Sequence, residues 1–130
     1  MAGATGIRVG PDDPRYVAMS MGFNQRWRGT PAAIDLVQST DEVVRSVQDA
    51  VDRGRRVTVR GGGHCYEDFV AANDGGVIID LGGMQRVGRE PDGTFVLEGG
   101  CTNWNVYEQL YKAYDVTLPG GSSPKRNSIR

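Results

Sequence analysis

Val43, Val44, Val47, Ala50 and Val51 recur at spacings of three and four. That period predicts a helix over about 40–53 with those side chains on one face. Ser39 stands in front of it with Glu42 three residues on, the pairing of a capping box, and Gly54 suits the stop. Other stretches follow the strand period. Ala33 to Val37 alternates loosely, Arg56 to Arg60 places Val57 and Val59 on one side, and Val77-Ile78-Ile79 is apolar throughout between Gly76 and Asp80. The last of these predicts a strand buried on both faces in a parallel pair.

Beyond it, Arg86 to Arg89 and Thr94 to Glu98 flank Pro91-Asp92-Gly93, which predicts a hairpin. Thr102 can cap a second helix whose apolar face would be Trp104, Tyr107, Leu110, Tyr111 and Tyr114. Val116-Thr117-Leu118 reads as a final strand ended by Pro119. The strand–helix–strand unit implies a crossover and a parallel pair, and the hairpin would make the sheet mixed. The expected class is therefore α+β, a small mixed β-sheet with two packed helices. It is not a Rossmann fold, which repeats its crossovers and has its own glycine spacing. Residues 1–30 read as irregular, and 122–130 as a disordered polar tail.

Composition narrows the function classes. Fifteen basic and sixteen acidic residues nearly cancel, so no basic field points to nucleic acid or to a membrane surface. No run approaches the roughly 20 apolar residues of a transmembrane helix. The opening residues lack the pattern of a secretory leader, which leads us to expect a cytoplasmic chain. One histidine and two cysteines make a poor zinc set, and no metal site is expected. Glycine is the unusual number, 19 of 130 residues, and it clusters beside predicted strands.

The densest cluster is Val57-Thr58-Val59-Arg60-Gly61-Gly62-Gly63-His64-Cys65-Tyr66. Three glycines after a strand remove every Cβ from that turn, so an anion can approach the backbone and its N–H groups. The same run also fits a plain tight loop, and a lone histidine fits a surface or core position as readily as a ligand. Cys65 fits a small buried hydrophobe. No Lys-Ser or Lys-Thr follows, so the loop is not a P-loop.

The stretch RGGGHCYEDF, Arg60 to Phe69, resembles the R-x-G-G-H-S/C loop of the berberine-bridge-enzyme-like oxidases, within the wider group that has the vanillyl-alcohol-oxidase (PCMH) type of FAD-binding fold. Further motifs follow in order. They are Ile34 to Ser39 with the capped helix, GVIIDLG from Gly76, FVLEGG from Phe95, and VTLPGG from Val116 to Gly121. The resemblance covers about residues 11–121 and makes 31–121 the first subdomain of such a fold. It implies that Arg60, Gly61, Gly62, Gly63, His64, Cys65, Tyr66, Leu81, Gly120 and Gly121 contact FAD, with His64 bonded covalently to the flavin 8α carbon. VGPDDPRY, NQRWRG and TPAAIDLVQST are also similar to actinobacterial sugar oxidases of glycopeptide assembly.

By the same resemblance the parent chemistry is oxidation of an alcohol, or of a sugar's primary alcohol, with oxygen reduced to hydrogen peroxide. Two departures follow. Doubly tethered relatives carry a cysteine shortly after Pro-Gly-Gly, where Ser123 stands here. The rest of the FAD domain and a substrate domain, which the family places after Gly121, are not in this sequence. The expectation is a flavin-binding fragment without turnover of its own and with no residue in a catalytic role. The alternative is a non-catalytic domain that folds or self-associates through exposed apolar surface and binds no flavin.

Overall fold

The computed structural model describes residues 6–121, and the tail with Ser123 lies outside them. The elements run β1 (Ile7–Val9), α1 (Tyr16–Ser20), β2 (Ala33–Leu36), α2 (Thr40–Asp52), β3 (Val57–Arg60), β4 (Val77–Asp80), β5 (Val87–Arg89), β6 (Phe95–Leu97) and α3 (Asn103–Tyr114). The apolar run at 77–79 is the centre of the main sheet, whose order is β1-β2-β4-β3. β4 pairs in parallel with both β2 and β3, and Val77, Ile78 and Ile79 are fully buried.

Alternation along these strands feeds two layers. Val77 and Ile79 join Val37 and Ala50 under α2, with Val43, Val57, Leu81 and Met84 packed around them. Ile78, Ile34 and Val9 face the other way, beneath Tyr16, Met19 and Val70. Burial of each isoleucine contributes about 1.5–3 kcal/mol. Parallel neighbours cannot be joined by a tight turn, so the chain from β3 to β4 must cross a face of the sheet. Residues 61–76 make that crossing. Asn73 fastens its return, donating from Nδ2 to the Val77 carbonyl at 3.0 Å and to Thr58 Oγ1 at 2.9 Å.

Several expectations are corrected. Residues 1–30 are not irregular throughout, since they contain β1 and the five-residue α1, a third helix among the described residues. β1 is the antiparallel member that makes the sheet mixed, while the hairpin β5–β6 forms its own two-stranded sheet. β2 and β3 are not neighbours, because β4 inserts between them. Val116–Leu118 forms no strand.

Both long helices bury only part of the expected stripe, Val43 and Ala50 on α2 and Leu110 on α3, and add polar residues to it. α2 buries Ser46 and Ala50, leaving Val44 and Val51 exposed. The cause is Asp35 on β2, which is 1% exposed and carries charge into the layer under the helix. Arg8 grips it through Nε and Nη2 at 2.7 and 2.8 Å, and the Ser46 hydroxyl donates to it. A buried carboxylate needs such partners more than the helix needs another valine. α3 buries Asn103, Val106 and Leu110 against Cys101, Val87, Leu97 and Leu118, and turns Trp104 and Tyr111 outward.

Capping is partly as read. Ser39 accepts from the Glu42 N–H, but Glu42 Oε2 accepts from Gln38 N, one residue ahead of the cap, so the box is not closed. The box that does close is at Thr102, with Asn105 as its partner. Gly54 follows α2 with φ +61°, and Arg55 N returns to the Ala50 carbonyl at 2.8 Å. No helix among the described residues is long and apolar enough to cross a membrane.

Two outcomes test this packing. Asp35→Ala should lower stability in a urea melt by roughly 1–3 kcal/mol, because it leaves the buried Ser46 hydroxyl without its acceptor and Arg8 with Asp49 alone; a midpoint within error of the parent would contradict the network. The second concerns pH. Arg53 and Arg8 hold the Asp49 carboxyl below the usual 3.8, and the Thr30 N–H and hydroxyl do the same to Asp74. Groups depressed in the fold stabilise it fully above their ordinary value and lose that contribution as pH falls through the folded value. Thermal midpoints should therefore be level above about pH 5 and fall below pH 4, and a midpoint that rose on acidification would be the contrary result.

Candidate functional site

The sequence of β3 ends on Arg60 and that of β4 on Asp80, which are register partners at the carboxyl ends of parallel neighbours. In an open α/β sheet ligands bind outside those ends. Arg60 Nε and Nη2 donate to Asp80 Oδ2 at 2.9 and 2.6 Å, while Asp80 Oδ1 accepts from Gly82 N at 2.8 Å. Arg60 Nη1 donates to the Met19 carbonyl at 2.5 Å and to the Met21 carbonyl at 3.3 Å. One buried guanidinium thus ties β3, β4 and the end of α1 together.

Above this brace lies an open groove of about 410 Å³. It is lined by Arg60, Gly61, Gly62, Gly63 and His64, by Ala18 to Phe23 without Ser20, and by Asp80. Gly63 sits at φ +71°, a left-handed conformation that a Cβ would strain. Gly62 is exposed. His64 Nδ1 is buried and has no hydrogen-bond partner among the described residues. The imidazole packs instead on the Phe23 ring, 5.0 Å between centroids at 34°.

The structure brings five of the expected residues to the groove: Arg60, Gly61, Gly62, Gly63 and His64. Arg60 is there as a brace, with its donors taken by Asp80 and two carbonyls. Cys65 lies behind the loop, beside a cavity of about 20 Å³ that Ser20, Trp27 and Glu67 also line. Tyr66 is exposed, and its carbonyl accepts from Asn24 and Trp27. Leu81 turns into the core. Gly120 lies against Tyr107, and the Gly121 carbonyl accepts from Asn103 Nδ2 at 3.3 Å, so neither lines this groove.

Sequence reasoning missed Met19, Met21, Gly22, Phe23 and Asp80. Met19 and Met21 hold Arg60 through main-chain carbonyls, which side-chain patterns do not mark. Asp80 was legible, as the one charged residue ending an apolar strand. No group of three potential metal ligands occurs among the described residues.

Comparison with known proteins gives this geometry a family. Residues 31–125 match the FAD binding domain family. Aclacinomycin-N/aclacinomycin-A oxidase of Streptomyces galilaeus is 36% identical over 92% of this chain and 22% of its own length. Hexose oxidase of Chondrus crispus is 37% identical over 85% of this chain and 21% of its own. Among solved structures, a glycopeptide hexose oxidase complexed with teicoplanin superposes with TM-score 0.88 and 42% identity, over 97% of this chain and 26% of that one. Aclacinomycin oxidoreductase superposes with TM-score 0.84 and 35% identity, over 92% and 25%.

The chain spans about a quarter or less of the relatives it matches. Its mixed sheet and its helices are those of their PCMH-type fold, and the chain belongs to the FAD-binding domain family of the berberine-bridge-like FAD-linked oxidases.

Proposed function

We propose that the groove between Gly61–His64 and Met19–Phe23 receives FAD, and that His64 carries its covalent bond. The observation that carries this reading is the His64 ring itself. It stands on a glycine loop at the strand ends, and its buried Nδ1 is committed to no partner among the described residues. A structural histidine in a packed interior would have that atom satisfied. Gly61, Gly62 and Gly63 supply the approach for a pyrophosphate, with no Cβ in the way.

The bond would replace the ring N–H proton of His64 and one C–H of the flavin methyl, with both hydrogens and both electrons passed to oxygen as hydrogen peroxide. Bound FAD would supply a two-electron acceptor for an alcohol carbon, a sugar's by likeness to the hexose oxidases. His64 acts as tether and not as base. Among the described residues, the titratable groups lining the groove are Arg60, His64 and Asp80, and Asp80 is occupied by Arg60 and the Gly82 N–H. Glu67 and Asp68 do not line it. The base and the substrate wall are therefore assigned to other parts of a complete oxidase.

A second reading is favoured by Trp104 and Tyr111, which stand exposed together on α3, 61% and 68% accessible. In that reading the chain self-associates through this face and holds no flavin.

Colour and mass separate the two. Incubated with FAD, the chain should keep a yellow flavin after denaturation, with the added mass on the peptide that contains His64. His64→Ala should release it. A colourless, associated chain would support the second reading. Gly62→Val should weaken FAD or ADP binding by about tenfold, or about 1.4 kcal/mol; unchanged affinity would move the phosphate site elsewhere. With alcohols and sugars the chain alone should give no substrate-dependent peroxide. Sustained peroxide lost on His64→Ala would make these residues an enzyme in themselves.

A further inference from the structure

The two carbonyls that bracket His64 are both held by the same stretch of chain. Phe23 N donates to the Gly63 carbonyl at 2.7 Å. On the far side, Asn24 Nδ2 and Trp27 Nε1 donate to the Tyr66 carbonyl at 2.7 and 3.1 Å. Met19 and Met21 are fixed in turn through Arg60. Gly22 allows the close pass, since a Cβ there would lie 3.3 Å from the Gly63 oxygen.

This stretch, Met19–Trp27, precedes the residues that match the FAD binding domain family. It has little regular structure beyond the end of α1. A segment without its own ladder keeps its shape only through such bonds. Here they converge on the one loop that carries the histidine.

The loop's backbone is therefore set from outside, but a backbone does not fix a ring plane. No hydrogen bond among the described residues holds His64 Nδ1. The group that remains is Phe23. Its ring meets the imidazole at 5.0 Å and also meets Tyr66 edge-on at 6.1 Å and 73°. Aromatic pairs at such separations prefer particular relative orientations. Phe23 is itself 59% exposed, so its role is not to fill the core. We propose that Met19–Trp27 is a strap belonging to the cofactor site, and that Phe23 is a positioning residue that sets the plane of the His64 imidazole for its bond to the flavin.

This rests on the flavin reading above, yet it has a readout that needs no flavin. The chain has a single histidine, so its ring C–H signals in a carbon–proton NMR spectrum are assigned without ambiguity. In the parent those signals should be displaced from free-imidazole positions by the ring current of Phe23. Phe23→Leu should return them toward free positions while the amide signals of β2 and β4 stay in place. Phe23→Tyr should keep them displaced. Asn24→Ala, which loosens the strap and leaves the ring, should move them part of the way.

With FAD added, the fraction of chain retaining flavin after denaturation should fall about tenfold in Phe23→Leu and be kept by Phe23→Tyr. Free-imidazole signals in the parent, signals unmoved by Phe23→Leu, or flavin retention equal in parent and Phe23→Leu would each overturn the proposal. A parent chain that retains no flavin overturns the flavin reading, and with it the cofactor half of this one, while the ring signals still decide whether the strap orients His64.

Discussion

The ion pair between Arg60 and Asp80 is the constraint on which the site depends. Removing two charges from water is costly unless their hydrogen-bonding capacity is met, and here nearly all of it is. Asp80 receives the Arg60 fork and the Gly82 N–H, while the remaining arm of Arg60 reaches the Met19 and Met21 carbonyls. Together these bonds tie several pieces of chain to one point. The carboxyl ends of β3 and β4, the turn after β4 and the exit of α1 meet there. The glycine loop departs from Arg60 itself. A lysine could not reproduce this, having no planar fork to span a carboxylate and two carbonyls.

Topology explains why the loop lies where it does. β3 and β4 are parallel neighbours, so the chain must leave β3 at its carboxyl end and travel over one face to reach the start of β4. That journey provides room for a loop without regular structure. α2 fills the opposite face, leaving this one to α1 and the crossing segment. Thr58 and Asn73 pin the return of the loop, and the N-terminal strap pins its start. His64 is left between two hydrogen-bonded points and lines the groove.

Much of this was legible from residue types, and the failures have physical causes. The β4 run, the hairpin about Pro91-Asp92-Gly93 and the stop at Gly54 were readable because each is a local signal. β1 and α1 were not, because elements of three and five residues carry no measurable period and are held by tertiary contacts. The faces of α2 and α3 were read only in part, at Val43, Ala50 and Leu110, because hydrophobic spacing cannot see a buried polar partner. Asp35 draws Ser46 inward and Asn103 occupies the inner side of α3, so valines and aromatics are displaced to the surface. In the groove, residue types left the glycine triplet and His64 open between a site and a plain tight loop, and family likeness singled them out. Neither marked Met19–Phe23, since that stretch works through the carbonyls of Met19 and Met21 and the amide of Phe23. Leu81, Gly120 and Gly121 followed from family likeness alone, and they lie away from this groove.

The central claim is that the adenine dinucleotide sits in one groove lined by the glycine loop and the strap. Titration of the labelled chain with FAD, read amide by amide, addresses it directly. The account predicts perturbed amides at Gly61–Cys65 and at Ala18–Phe23 together, with the hairpin and α3 unmoved. Perturbations confined to α3 and the hairpin, or a glycine loop that responds while Met19–Phe23 does not, would contradict it.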